Sequence, residues 1–191
     1  AWVDSVTPDH PVWVNRLDGH MALANSLALR LAGVRDDVRD VDGGTVVRDA
    51  AGRPTGVFKD NAMGLVDPAV PAPPPALADR ALDAAMRHVA AQGVTAVHHV
   101  GTWDELAVFE RAHAAGRLRT RIYAAVPLGT WERLRDTARA WRAAGRALPG
   151  PGPNGGGPDG GLRAGDAWLA IGGLKGYVDG SLGSHTAAML A

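Results

Sequence analysis

The hydrophobic pattern of the chain changes period part-way along. From Ala76 onward it alternates between helical and extended spacing. Leu77 to Gln92 is Ala-rich and amphipathic and is closed by Gly93, which predicts a helix. Val94 to Val100 reads as a strand, Asp104 to Ala115 as a helix ended by Gly116, Arg121 to Val126 as a strand ended by Pro127, and Trp131 to Ala144 as a third helix. Trp168 to Val178 returns to strand, its last part, Leu174 to Val178, being a buried strand that carries one lysine. Helix and strand alternating through short connections argue for parallel βα units, and so for a barrel or a doubly wound sheet. Between them, Pro149 to Gly161 is so rich in Gly and Pro that it predicts a mobile surface loop.

The first third is patterned differently. Pro11 to Leu17 alternates as a strand that His20 ends, Asp18-Gly19-His20 turns the chain, and Met21 to Leu31 has apolar residues at helical spacing until Gly33. Thr45–Asp49 and Pro54–Phe58 flank a Gly-containing turn and predict a β-hairpin. Pro68 to Pro75 is proline-rich and places a boundary there, giving an α+β segment over 1–73 and a βα segment over 74–191.

Composition narrows the possibilities. At 191 residues with 46% hydrophobic and 21% charged residues, the chain is long enough for one ordinary globular domain. Twenty acidic residues balance twenty basic ones, which recommends neither nucleic acid nor an anionic membrane as a partner. There is no cysteine, so disulfides, thiolate nucleophiles and thiolate zinc sites are excluded. The absence of an initiator Met suggests an internal piece of a longer protein, with a cytoplasmic location expected.

One residue type stands out against this background. Of the 20 basic residues only two, Lys59 and Lys175, are lysines, leaving 18 arginines. A guanidinium stays protonated, whereas an ammonium moved out of water gives up its proton readily. A lysine in an apolar strand therefore suggests a use for a primary amine: a Schiff base with a carbonyl, or a carbamate formed with carbon dioxide. A lysine whose stem packs while its head reaches solvent is the plain alternative. After it, Asp179 and a small-residue turn with Ser181 and Ser184 precede a helix start at Thr186, the layout of a strand-end active site. Asp179 could orient Lys175 or bond substrate, and the serines could place hydroxyls in a cleft. The same residues also serve as ordinary turn caps. His20 either faces a substrate or bonds a backbone carbonyl. His98 and His99 are adjacent in a strand and so point to opposite faces.

Asp9-His-Pro-Val12, Arg16-Leu-Asp-Gly-His20, Asn25-Ser26, Gly43-Gly44, Arg48-Asp49, Gly52-Arg-Pro-Thr-Gly56, Gly93-Val-Thr95, and Leu174-Lys175 followed by Asp179-Gly-Ser-Leu-Gly-Ser184 and Thr186-Ala187 occur in that order. This series resembles the metal-dependent amidohydrolases of the YtcJ-like group, which includes N-substituted formamide deformylases. The resemblance implies a (β/α)8 TIM barrel, of which about strands 2–4 are present, with the first segment as an insertion between strands one and two. It also implies one or two divalent metal ions, zinc foremost, and hydrolysis of an amide- or formamide-type C–N bond by metal-activated water. Lys175 falls where a carboxylated, metal-bridging lysine is expected. Catalytic roles then fall to Lys175 and Asp179, and substrate binding to His20, Ser181 and Ser184, with a small amide-type substrate and a possible homodimer. No His-x-His pair occurs, so most metal ligands would lie outside this stretch, and the stretch alone is expected to be inactive. The competing readings are a Schiff-base lyase or aldolase using Lys175, and a catalytically dead binding relative.

Overall fold

The structure, a computed structural model, describes residues 2–147 and 162–188, so the predicted Pro149–Gly161 loop lies outside the described residues. The chain divides into two compact units: Ala1–Ala72 with Tyr177–Ala191, and Pro73–Gly176. The stretch from Tyr177 onward thus groups with the N-terminal part.

The first unit is built on an antiparallel sheet of β1 (Trp13–Asn15), β2 (Met21–Ala24), β3 (Gly44–Arg48) and β4 (Pro54–Asp60), in the order β1-β2-β4-β3. The β3–β4 hairpin forms where its alternation and turn glycine predict it, with Gly52 at φ 79°. The expected helix from Met21 is replaced by two elements. Met21–Ala24 pairs with both β1 and β4, and only Ser26–Leu31 is helical, as α1. The reason is that Ala22 and Ala24 alternate into the core as strand residues, while the Asn25 side chain accepts from Ala28 N–H and starts the helix one turn later. His20 accordingly does not end a strand; it is the last residue of the turn joining β1 to β2. Phe58, Ala62, Val66, Val46, Ala24 and Ala28 make the core, with Trp13 packed edge-on to Phe58.

In the second unit, β5 (Ala96–Val100), β6 (Arg121–Pro127) and β8 (Leu169–Lys175) are parallel, and the two-residue β7 (Ala164–Gly165) pairs antiparallel to β8. The helices α2 (Pro75–Ala91), α3 (Trp103–Ala114) and α4 (Trp131–Ala143) fall close to their expected positions. Helical spacing buries Leu106, Phe109 and Ala112 of α3 and Leu134, Ala138 and Trp141 of α4. These meet the alternate residues Ile122, Ala124 and Val126 of β6, with Leu169 and Ile171 of β8, in one core. The helices therefore cover one face of this sheet. On the other face lie the residues of opposite parity, among them Tyr123, Ala125 and Pro127 of β6.

The last strand ends earlier than its hydrophobicity predicts. β8 stops at Lys175, paired with Pro127, and Tyr177 and Val178 are exposed rather than buried. Pro127 has no N–H to extend the ladder, and among the described residues no strand pairs with Gly176 to Val178. No helix begins at Thr186 within the described residues. Instead, Thr186 N–H and Ala187 N–H both bond Ser181 O, closing a tight turn in which His185 takes φ 59°. Among the described residues no helix is long and apolar enough to cross a membrane.

Candidate functional site

The first unit contains a cleft of about 1110 Å³. Its chemistry centres on a pair from distant parts of the chain. His20 Nδ1 lies 2.6 Å from Asp60 Oδ1, and Asp60 N–H donates back to His20 O at 3.2 Å, so side chain and backbone hold the two together. The His20 ring also meets Tyr177 edge-on, with centroids 6.1 Å apart. The side chains of His20 and Asp60 are 22% and 13% exposed, which leaves the pair wetted on one side only. Burial works against the Asp60 charge, but the hydrogen bonds from Thr186 and His20, with the nearby charge of Lys59, outweigh it and hold the carboxyl below its ordinary range.

Behind this pair sit the predicted serines. Ser181 Oγ and Ser184 Oγ are 2.7 Å apart, and Ser184 Oγ is 2.7 Å from Thr186 Oγ1. In each of these two pairs either hydroxyl can be the donor, and Thr186 also bonds the Asp60 carboxylate. The row of hydroxyls thus runs toward the carboxylate. Ser184 is 1% exposed, and its carbonyl accepts from Lys59 Nζ at 2.7 Å. Arg16 secures the same turn, donating to Gly183 O at 2.9 Å while paired with Asp18. That pairing with Arg16 outweighs the cost of burial and drives the Asp18 carboxyl well below the usual range.

Asp179 lines the cleft, is exposed, and accepts from Ala188 N–H at 3.0 Å. Lys175 belongs to the second unit, where it is the last residue of β8, half-buried, on the same sheet face as its rung partner Pro127. His98 and His99 point to opposite faces as expected. His98 packs beside Tyr123 at 5.2 Å, and His99 turns under α3, edge-on to Phe109 at 4.7 Å and 3.4 Å from Glu105 Oε2. Among the described residues no three His, Asp or Glu side chains converge as a metal site.

The structure therefore gathers His20, Asp179 and the supporting Ser181 and Ser184 in the first unit and sets Lys175 in the second. Sequence reasoning missed Asp60, Tyr177 and Lys59 as parts of the cleft's framework. The scarcity of lysine was a usable signal for Lys59, the second of only two. No local pattern marks Asp60, which ends an otherwise ordinary strand.

A model of the amidohydrolase family matches residues 1–191. The chain is 36% identical over 201 residues to Protein LONG AFTER FAR-RED 3 of Arabidopsis thaliana, covering 98% of this chain and 30% of that protein. It is 30% identical over 196 residues to the putative amidohydrolase YtcJ of Bacillus subtilis (strain 168), covering 98% and 32%. The chain thus spans about a third of the length of the curated relatives it matches. Two solved structures, described as uncharacterized metal-dependent hydrolases from Pyrococcus horikoshii OT3 and Pyrococcus furiosus, align with TM-scores of 0.56 and 0.52. Each is 20% identical and covers 92% of this chain, with 30% and 31% of those chains matched, a likeness of fold. The chain belongs to the amidohydrolase family, in its YtcJ-like branch.

Proposed function

We propose that this chain is part of a metal-dependent hydrolase that cleaves an amide- or formamide-type C–N bond, its second unit forming a section of a (β/α)8 barrel. The observation that carries the reading is the position of Lys175: a half-buried primary amine at the carboxyl end of a parallel strand, in a family of amidohydrolases. Functional groups of α/β folds collect at that end of the strands. In its neutral form the amine attacks carbon dioxide, forming an N–C bond and releasing one proton, and the resulting carbamate offers two anionic oxygens to hard or borderline cations.

Among the described residues no three His, Asp or Glu side chains converge as a metal site, so the reading takes the remaining ligands from outside them. The reading assigns metal binding to Lys175 alone among them. His20 and Asp179 are assigned to the substrate side, and Ser181 and Ser184 to positioning through Thr186 and Asp60.

Elemental analysis of the full-length protein, purified with and without bicarbonate, tests the proposal. The expected result is bound divalent metal that depends on carbon dioxide and is lost, with hydrolysis of simple formamides, in Lys175→Ala. Equal metal content in the variant would sink the role given to Lys175. Trapping of a carbonyl substrate on Lys175 by borohydride would instead favour a Schiff-base enzyme.

A further inference from the structure

The cleft of the first unit contains an imidazole with one nitrogen spoken for and the other not. The Asp60 carboxylate accepts from His20 Nδ1–H, which fixes the tautomer and leaves Nε2 of the neutral ring as an acceptor. Among the described residues none hydrogen-bonds to Nε2. The arrangement is over-determined for a plain turn histidine. Asp60 is held by Thr186 and by its own backbone bond to His20, and it keeps a φ of 47° that few non-glycine residues adopt.

The walls add a sign. Asp40, Asp42, Asp67 and Asp179 line the cleft without an Arg or Lys ion pair among the described residues, and no Arg or Lys lines it with them. Three of them accept only neutral donors: Asp40 from Val46 N–H, Asp67 from the Trp13 indole and Asp179 from Ala188 N–H. The cleft therefore repels anions and favours donors that carry positive charge. Tyr177 supplies apolar surface beside His20, and Met63 also lines the cleft.

We propose that the first-unit cleft binds the amine-bearing part of a small organic ligand as its ammonium, with His20 Nε2 as the acceptor that the N–H reaches and Asp60 as the residue that holds the proton of the neutral ring on Nδ1. This rests on the reading above only in taking the cleft as the substrate side; it requires no metal ion. The hydroxyl row Ser181–Ser184–Thr186 acts here as a positioning device for Asp60.

The test uses the full chain with ¹⁵N-labelled histidine at pH 8, titrated with benzylamine as an ammonium probe and benzoate as its anionic counterpart. His20→Gln identifies the His20 signals by their loss. The expected result is an Nε2 signal that moves saturably with benzylamine and stays put with benzoate. Asp60→Asn, which keeps the side-chain shape, is expected to shift the ring toward the Nε2–H tautomer and to weaken benzylamine at least tenfold, the scale of one charged hydrogen bond. An Nε2 signal indifferent to benzylamine, or equal binding by a folded Asp60→Asn, would overturn the inference. If Asp60→Asn does not fold, His20→Gln decides by direct calorimetry, equal affinity for benzylamine being the overturning outcome. Failure of the hydrolase proposal would look different: no metal-dependent turnover, with this titration unchanged.

Discussion

At the scale of single residues, the site is governed by what each group can donate. One carboxylate, Asp60, accepts from the Thr186 hydroxyl and sets the tautomer of the neutral His20 ring. Asp60 is ionised more readily in the folded chain than in the unfolded one, so it stabilises the fold above the unfolded carboxylate pKa, about 3.9, and that contribution is lost as pH falls through its lower folded value. Urea melts of wild type and Asp60→Asn between pH 3 and 6 are expected to show a stability gap that narrows below about pH 4; a gap that widens in acid would contradict the assignment. Gly44 illustrates a different residue-level constraint. A Cβ there would sit 2.1 Å from Ala62 N and 2.8 Å from Asn61 C, both backbone atoms that cannot swing aside. Gly44→Ala is expected to destabilise the first unit by at least about 1–3 kcal/mol, the usual penalty of overpacking, read as a lowered urea midpoint at unchanged slope.

At the scale of elements, caps and ladder ends decide where the hydrophobic pattern is allowed to run. The α3 helix begins at a complete capping box, in which Thr102 Oγ1 accepts from Glu105 N–H and the Glu105 carboxylate accepts from Thr102 N–H. Burial opposes the Glu105 charge, yet those bonds and His99 hold its carboxyl below the ordinary range. Thr102→Ala is expected to cost about 1 kcal/mol, measured by thermal or chemical melting, with Thr102→Ser recovering most of it. The same logic explains both misread boundaries. Asn25 starts α1 later than the apolar spacing suggests, and Pro127 ends the β6–β8 ladder sooner. Such events depend on one polar side chain or one missing N–H, which a hydrophobic period does not register.

At the scale of the whole molecule, two separate apolar clusters stand behind the two units, one around Phe58 and Val66, the other around Leu134, Leu169 and Ile171. Leu169→Ala is expected to cost about 2–5 kcal/mol, and amide hydrogen exchange should show the loss of protection concentrated in β5, β6 and β8 rather than in β2 to β4. Uniform loss across both sheets would argue against separate cores. The sequence by itself determined the βα alternation, the helices of the second unit, the hairpin of the first, the exceptional Lys175 and the family, because each is carried by local period, turn chemistry or residue type. Only the tertiary structure decided that His20 meets Asp60 across 40 positions, that Lys59 reaches Ser184 across 125, and that the chain beyond Gly176 returns to the first unit. Contacts at such separations leave no periodic trace along the chain, since they arise from packing and from the demand that each buried polar group find a partner.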